Sequence, residues 1–140
     1  MSISHNSTNY IKDFVNWIQY KIVLNSQLRS INFKEREIWW CSMGINLGSE
    51  QDGKNEKYNR PVLIIKKFNK NQFWGVPLTT QPQENQEFYF ELRVKDKDSW
   101  VCLSQLRNFD AKRLSLNSKI EKISESEFKK VKQKIIKLLE

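Results

Sequence analysis

Histidine is almost missing from this 140-residue chain, which has only His5. A Ser-His-Asp triad, a histidine general base and a histidine-rich metal site are therefore nearly excluded. The two cysteines, Cys41 and Cys102, stand far apart, each inside an apolar run. No CxxC and no Cys/His spacing accompanies them, so no zinc site is expected and both read as buried, reduced thiols. There is no GxGxxG and no Walker A loop, so no nucleotide cofactor is indicated. No run approaches the ~18–20 apolar residues that a membrane span needs. The N-terminus lacks the charged stretch followed by an apolar one that marks a signal peptide. A cytoplasmic protein with no metal, no cofactor and no membrane association is the expectation. Four Gly and three Pro are too few for a low-complexity chain.

What the chain does have is core material and positive charge. Five Trp, eight Phe and four Tyr are enough for one packed domain, and at this length folding buries roughly two-thirds of the unfolded surface. The formal net charge is +8. Residues 31–70 contribute +3 and residues 111–140 contribute +5, whereas residues 71–110 contribute −2. Such a balance suits a polyanion such as RNA or DNA, or an acidic protein, and equally suits a solvated lysine-rich helix.

Periodicity divides the chain into a helix, a run of strands and a second helix. Residues 7–28 read as a helix with Tyr10, Phe14, Ile18 and Ile22 on one face and Val15 and Trp17 beside it. This segment, residues 1–34, is expected to be an extension of a main domain at residues 35–140. Ile38–Met43, Pro61–Phe68 and Phe73–Leu78 are short strands rich in aromatic and branched residues. The second and third are joined at Asn69-Lys70-Asn71. Phe88–Lys95 alternates, with Phe88, Phe90, Leu92 and Val94 on one face, then turns at Asp96-Lys97-Asp98 into a strand at 99–103. Lys119–Ile123 is a last strand. Ser124 and Glu127 form a capping box for a final helix with Phe128, Val131, Ile135 and Leu138 as its stripe. Five or six short strands with a terminal helix predict a small, partly open barrel of mainly β, α+β class. Trp39, Trp40 and Trp74 are expected in the core.

A set of short motifs follows in order: Glu37-Ile-Trp-Trp, Gly48-Ser-Glu-Gln, Arg60-Pro-Val-Leu-Ile-Ile, Pro77-Leu-Thr-Thr, and Leu103-Ser-Gln-Leu-Arg107 with Asp110, Arg113 and Leu114 after it. Their order and spacing over residues 35–140 resemble the PemK/MazF-like toxins of bacterial toxin–antitoxin pairs. The resemblance implies an SH3-like barrel of the MazF/CcdB kind, assembled as a homodimer. It also implies sequence-selective, metal-independent cleavage of single-stranded RNA and inhibition by a cognate antitoxin with an acidic tail.

By motif, the family's catalytic pair falls on Arg60 and Thr79. Ser49 and Glu50 line the same groove, with Glu50 the candidate general base. Gln51, Thr80, Ser104 and Gln105 are candidate RNA contacts. Some members carry a histidine where Ser49 stands, or a carboxylate where Ser104 stands, so neither acid/base scheme transfers. The loop between Gln51 and Arg60 is longer than in many members, and Lys54 and Lys57 would touch phosphates from it. Taken alone, Arg60 could instead pair with Glu50 or Asp52. A non-catalytic barrel of the same class, acting as a gyrase poison or an RNA-binding module, is the alternative function.

Overall fold

The computed structural model describes residues 5–28, 30–46, 50, 52–53 and 58–140. Helix α1 (His5–Ser26) precedes seven strands: β1 (Glu37–Ser42), β2 (Asn59–Asn69), β3 (Gln72–Thr79), β4 (Tyr89–Val94), β5 (Lys97–Cys102), β6 (Arg107–Asp110) and β7 (Leu114–Lys122). Helix α2 (Glu125–Leu138) follows the last strand. The strands pair antiparallel, in the order β4-β5-β3-β2-β1-β7, with β6 also on β3. The sheet curls without closing, which is the partly open α+β barrel expected from the sequence.

Strand β3 is the pivot of the curl. Its first half pairs with β6, from Gln72↔Asp110 to Gly75↔Arg107, and its end pairs with β5 through Leu78↔Val101 and Thr79↔Trp100. One strand thus hands over from one neighbour to another and bends the sheet. The Pro-Val-Leu-Ile-Ile run of β2 carries no polar alternation because both of its faces are buried. Leu63 and Ile65 pack with Val76, Val101 and the α2 residues Phe128, Val131 and Ile135. Val62 and Ile64 point the other way, to Phe33, Trp39, Phe73, Phe109 and Leu114. Side chains of this size each stabilise the fold by about 1.5–3 kcal/mol when fully buried.

The α2 seat agrees with the sequence reading. Ser124 Oγ accepts from the Glu127 amide at 3.2 Å, and Glu127 Oε1 accepts from that hydroxyl at 3.1 Å. Other details differ. The β4–β5 turn is Lys95-Asp96, both with positive φ, rather than 96–98, because Val94 pairs with Lys97. Such a two-residue turn matches strand twist and tolerates Asp in the left-handed region. Phe88 lies before the strand and is exposed. Strand β6 has no counterpart in the sequence expectation; its four residues bury only Phe109, so no periodicity announces it.

The larger correction concerns α1. Tyr10, Ile18 and Ile22 are exposed, and Phe14 is only half-buried. The residues that dock are Trp17 and Leu24, at 6% and 5% exposure. Periodicity finds an apolar face of the helix, but the domain grips it through Trp17 and Leu24 beside that face. Among the described residues, no helix is long and apolar enough to cross a membrane.

Candidate active site

Arg60 stands at the start of β2, opposite Cys41 of β1. It is 9% exposed. Its Nε donates to the Asp52 main-chain carbonyl at 2.6 Å, and its Nη1 donates to the Leu78 carbonyl at 3.2 Å. The second acceptor ties it to the end of β3, one residue before Thr79. Arg60 forms no ion pair among the described residues. Asp52 offers its carbonyl to Arg60, while its carboxylate accepts from the Asn46 amide at 2.6 Å. Burial pushes the guanidinium below its ordinary pKa, and the nearby Cys102 and Asp52 partly offset this. It stays protonated at neutral pH.

The pyrrolidine of Pro61 fixes φ and supplies no donor, so it suits the entry to the strand and helps set where the arginine leaves it. Thr79 is 7% exposed, and its Oγ1 accepts from the Gln81 amide at 3.2 Å. Arg60, Thr79 and Thr80 line one cavity of about 170 Å³ together with Trp40, Pro61 and Ser99.

A second, larger cleft has a volume of about 480 Å³. Its lining includes Glu50, Ser104, Gln105, Met43, Tyr89 and Arg107. Ser104 and Gln105 sit on the 3-10 turn that follows β5, with Ser104 exposed and Gln105 half-buried. Glu50 is exposed. The structure therefore brings the candidates together as two groups: Arg60, Thr79 and Thr80 in one cavity, and Glu50, Ser104 and Gln105 in the other. Ser49, Gln51, Lys54 and Lys57 lie outside the described residues.

Tyr89 lines the larger cleft, and Cys102 is near enough to Arg60 to feel its charge. They are opposite each other in the β4–β5 register. Burial pushes the Cys102 thiol up to about 11, with Arg60 pulling the other way. Cys41 is pushed up to about 12, again by burial first. Both thiols are buried, as the sequence suggested.

Several lining residues escape the sequence reading. Tyr89 sits on the polar parity of its strand, and that is its only signal. Arg107 ends the Leu-Ser-Gln-Leu-Arg motif. Trp40 and Trp74, expected in the core, are 40% and 45% exposed, whereas Trp39 is buried. Trp40 faces the cavity that Arg60 lines, and Trp74 stacks edge-on with exposed Phe68 at 5.1 Å.

The family model for the PemK-like, MazF-like toxins of type II toxin–antitoxin systems matches residues 22–139. Among solved structures, MazF from Deinococcus radiodurans superposes with a TM-score of 0.64 at 18% identity, covering 78% of this chain and 97% of that one. The Mycobacterium tuberculosis toxin MazF-mt6 gives 0.57 at 14% identity, covering 74% and 96%. No curated protein matches the sequence.

Proposed function

Because this chain belongs to the PemK-like, MazF-like toxins of type II toxin–antitoxin systems, a family of RNA-cleaving toxins, we propose that it is a metal-independent endoribonuclease of the cytoplasm. It cuts single-stranded RNA at selected sequences and is held inactive by a cognate antitoxin. The observation that carries the reading is Arg60: a nearly buried guanidinium, oriented by two main-chain carbonyls and in no ion pair with a described carboxylate. Holding a cation out of water is costly unless it is hydrogen-bonded and meets an opposite charge. A phosphate is the anion that a planar fork of donors fits best. Two of its five N–H donors are engaged, which leaves three for the ligand.

In this mechanism the ribose 2′-oxygen attacks the adjacent phosphorus as its proton passes to a base. The P–O5′ bond breaks and the 5′-oxygen takes up a proton. One product ends in a 2′,3′-cyclic phosphate and the other begins with a 5′-hydroxyl. The phosphorane between them carries extra negative charge, and Arg60 stabilises it without reorganising. Thr79 has its oxygen engaged by the Gln81 amide, so its hydroxyl proton can be donated to the same phosphate. Glu50 is the proposed base. Ser104 and Gln105 offer donors and acceptors to base edges in the larger cleft, and Thr80 contacts the RNA beside Thr79. An acidic antitoxin segment would compete for this cleft, favoured by the chain's net charge of +8. The working unit is proposed to be a homodimer.

The test is incubation with a mixed single-stranded RNA in EDTA, beside Arg60→Ala. Cutting by the wild type, lost in the variant, and cyclic-phosphate ends on the products are expected. No cutting of any RNA, with growth arrest that survives Arg60→Ala, would replace this reading by a non-catalytic barrel.

A further inference from the structure

Helix α1 seats against the 3-10 turn at residues 111–113, where Lys112 Nζ donates to the Asn25 carbonyl at 2.9 Å, and against the two ends of the loop between β1 and β2. Trp17 makes the contact with the loop. Gly44, just after β1, has φ +79, and any Cβ there would overlap the Trp17 indole. Glycine thus serves both the backbone and the close approach of the ring. On the other side of the loop, Tyr58 meets Trp17 at 5.4 Å and Tyr20 at 6.3 Å between ring centroids. Tyr58 has φ +54, a region a bulky side chain occupies only when its surroundings impose it. Here the rings from α1 surround its side chain, and the Met43 and Gly44 amides hold its carbonyl. Arg113 completes the seat, with its Nη1 on the Ser42 carbonyl at 3.0 Å and its guanidinium 5.8 Å from the Trp17 ring.

From this seat a chain of hydrogen bonds leads to Arg60. The Met43 and Gly44 amides donate to the Tyr58 carbonyl at 2.9 and 3.3 Å. The Gly53 amide donates to the Gly44 carbonyl at 2.7 Å. Asp52, next to it, gives its carbonyl to Arg60 Nε and its carboxylate to the Asn46 amide. Tyr10 of α1 also reaches Asn46, donating to its carbonyl at 3.3 Å. Met43 and Asn46 both line the larger cleft.

We propose that α1 is a brace for the substrate loop, and that Trp17 is a positioning residue which, through Gly44, Tyr58 and Asp52, holds Arg60 in its reactive orientation. This rests on the reading of Arg60 as the phosphate-binding cation. A displacement of about 1 Å at a reacting group can cost on the order of 10²-fold in rate even when its cause is remote.

The experiment uses the full chain with Trp17→Ala and Trp17→Phe as the deciding pair, and with Gly44→Ala, which displaces the indole and also strains the loop backbone at φ +79. Amide hydrogen exchange is the first readout. In Trp17→Ala and Gly44→Ala the Met43 and Gly53 amides should exchange faster, while the β4–β5 ladder keeps its protection. Single-turnover cleavage is the second. The rate should fall on the order of 10–10²-fold with RNA affinity changed less than the rate, and Trp17→Phe should recover most of it. A variant that melts earlier but keeps both loop exchange and cleavage rate would make α1 a merely stabilising appendage and overturn the proposal. If the wild type cuts no RNA, the catalytic reading fails, yet the exchange data still decide whether α1 braces the loop.

Discussion

Arg60 and Glu50 line separate cavities and differ in burial. Arg60 emerges from a strand, is 9% exposed, and is fixed by carbonyls from two different segments. Glu50 lies in the β1–β2 loop and is exposed. The contrast fits two chemical tasks. A group that stabilises charge in a transition state must already be in place, because reorienting it would consume the gain. A base that collects one proton needs only to reach hydrogen-bonding distance when substrate is bound. On the proposed reading, the wall that carries Arg60 is fixed for the chemistry, and the wall that carries Glu50 is the exposed one.

The largest expected effect comes from breaking the rigid wall. Arg60→Ala should lower single-turnover cleavage by on the order of 10²–10³-fold, the usual cost of one preorganised donor. Arg60→Lys should recover little, since an ammonium keeps the charge and loses the planar fork. Full activity in Arg60→Lys would show that charge alone suffices and that the two carbonyl anchors have no catalytic meaning. Glu50→Gln comes next, at about 10²-fold if it is the base. Its signature is a loss of single-turnover rate with RNA affinity retained. An unchanged rate would assign the proton transfer elsewhere. Thr79→Val should cost about tenfold, comparable to a net hydrogen-bond loss of about 1.5 kcal/mol. A much larger loss, with RNA affinity retained, would promote Thr79 to equal rank with Arg60.

How far these residues can be found without a structure depends on what each signal measures. The β2 run and the capping box before α2 are local patterns, and both are legible. Arg60 and Thr79 are legible by their motifs, but their shared anchor at the end of β3 is a tertiary fact. The Leu78 carbonyl reaches Arg60 only because β2 and β3 are paired. The docking face of α1 is not legible, for a physical reason. The spacing of apolar residues along the helix points to Ile18 and Ile22, whereas the buried contacts are Leu24 and the Trp17 ring, which fits over a glycine. Strand β6 is lost because a four-residue edge carries no period. Trp40 is misplaced because a tryptophan in an apolar run looks the same whether it faces the core or the rim of a cleft.

The smallest effect tests whether the wall around Arg60 is as closed as its hydrogen bonds suggest. Arg60 is near enough to Cys102 to favour its thiolate, and a nearby cation in a wet site would pull the thiol down. Burial prevails instead and holds it at about 11, above the ordinary 9.0. Cys41, at about 12, behaves the same way. Iodoacetamide at pH 8 should therefore leave both thiols of the folded protein intact and modify both in denaturant. The sign for stability follows from the direction of the shifts. A thiol that resists ionising in the folded state contributes stability that is complete below pH 9.0 and is lost as pH climbs towards about 11 for Cys102 and about 12 for Cys41. The melting temperature should be insensitive to these groups at pH 7–8 and should decline from pH 9 upward. Rapid alkylation of Cys102 at pH 8 in the folded protein would mean that water reaches the back of Arg60. The contrast between the two walls would then narrow to one of hydrogen bonding alone.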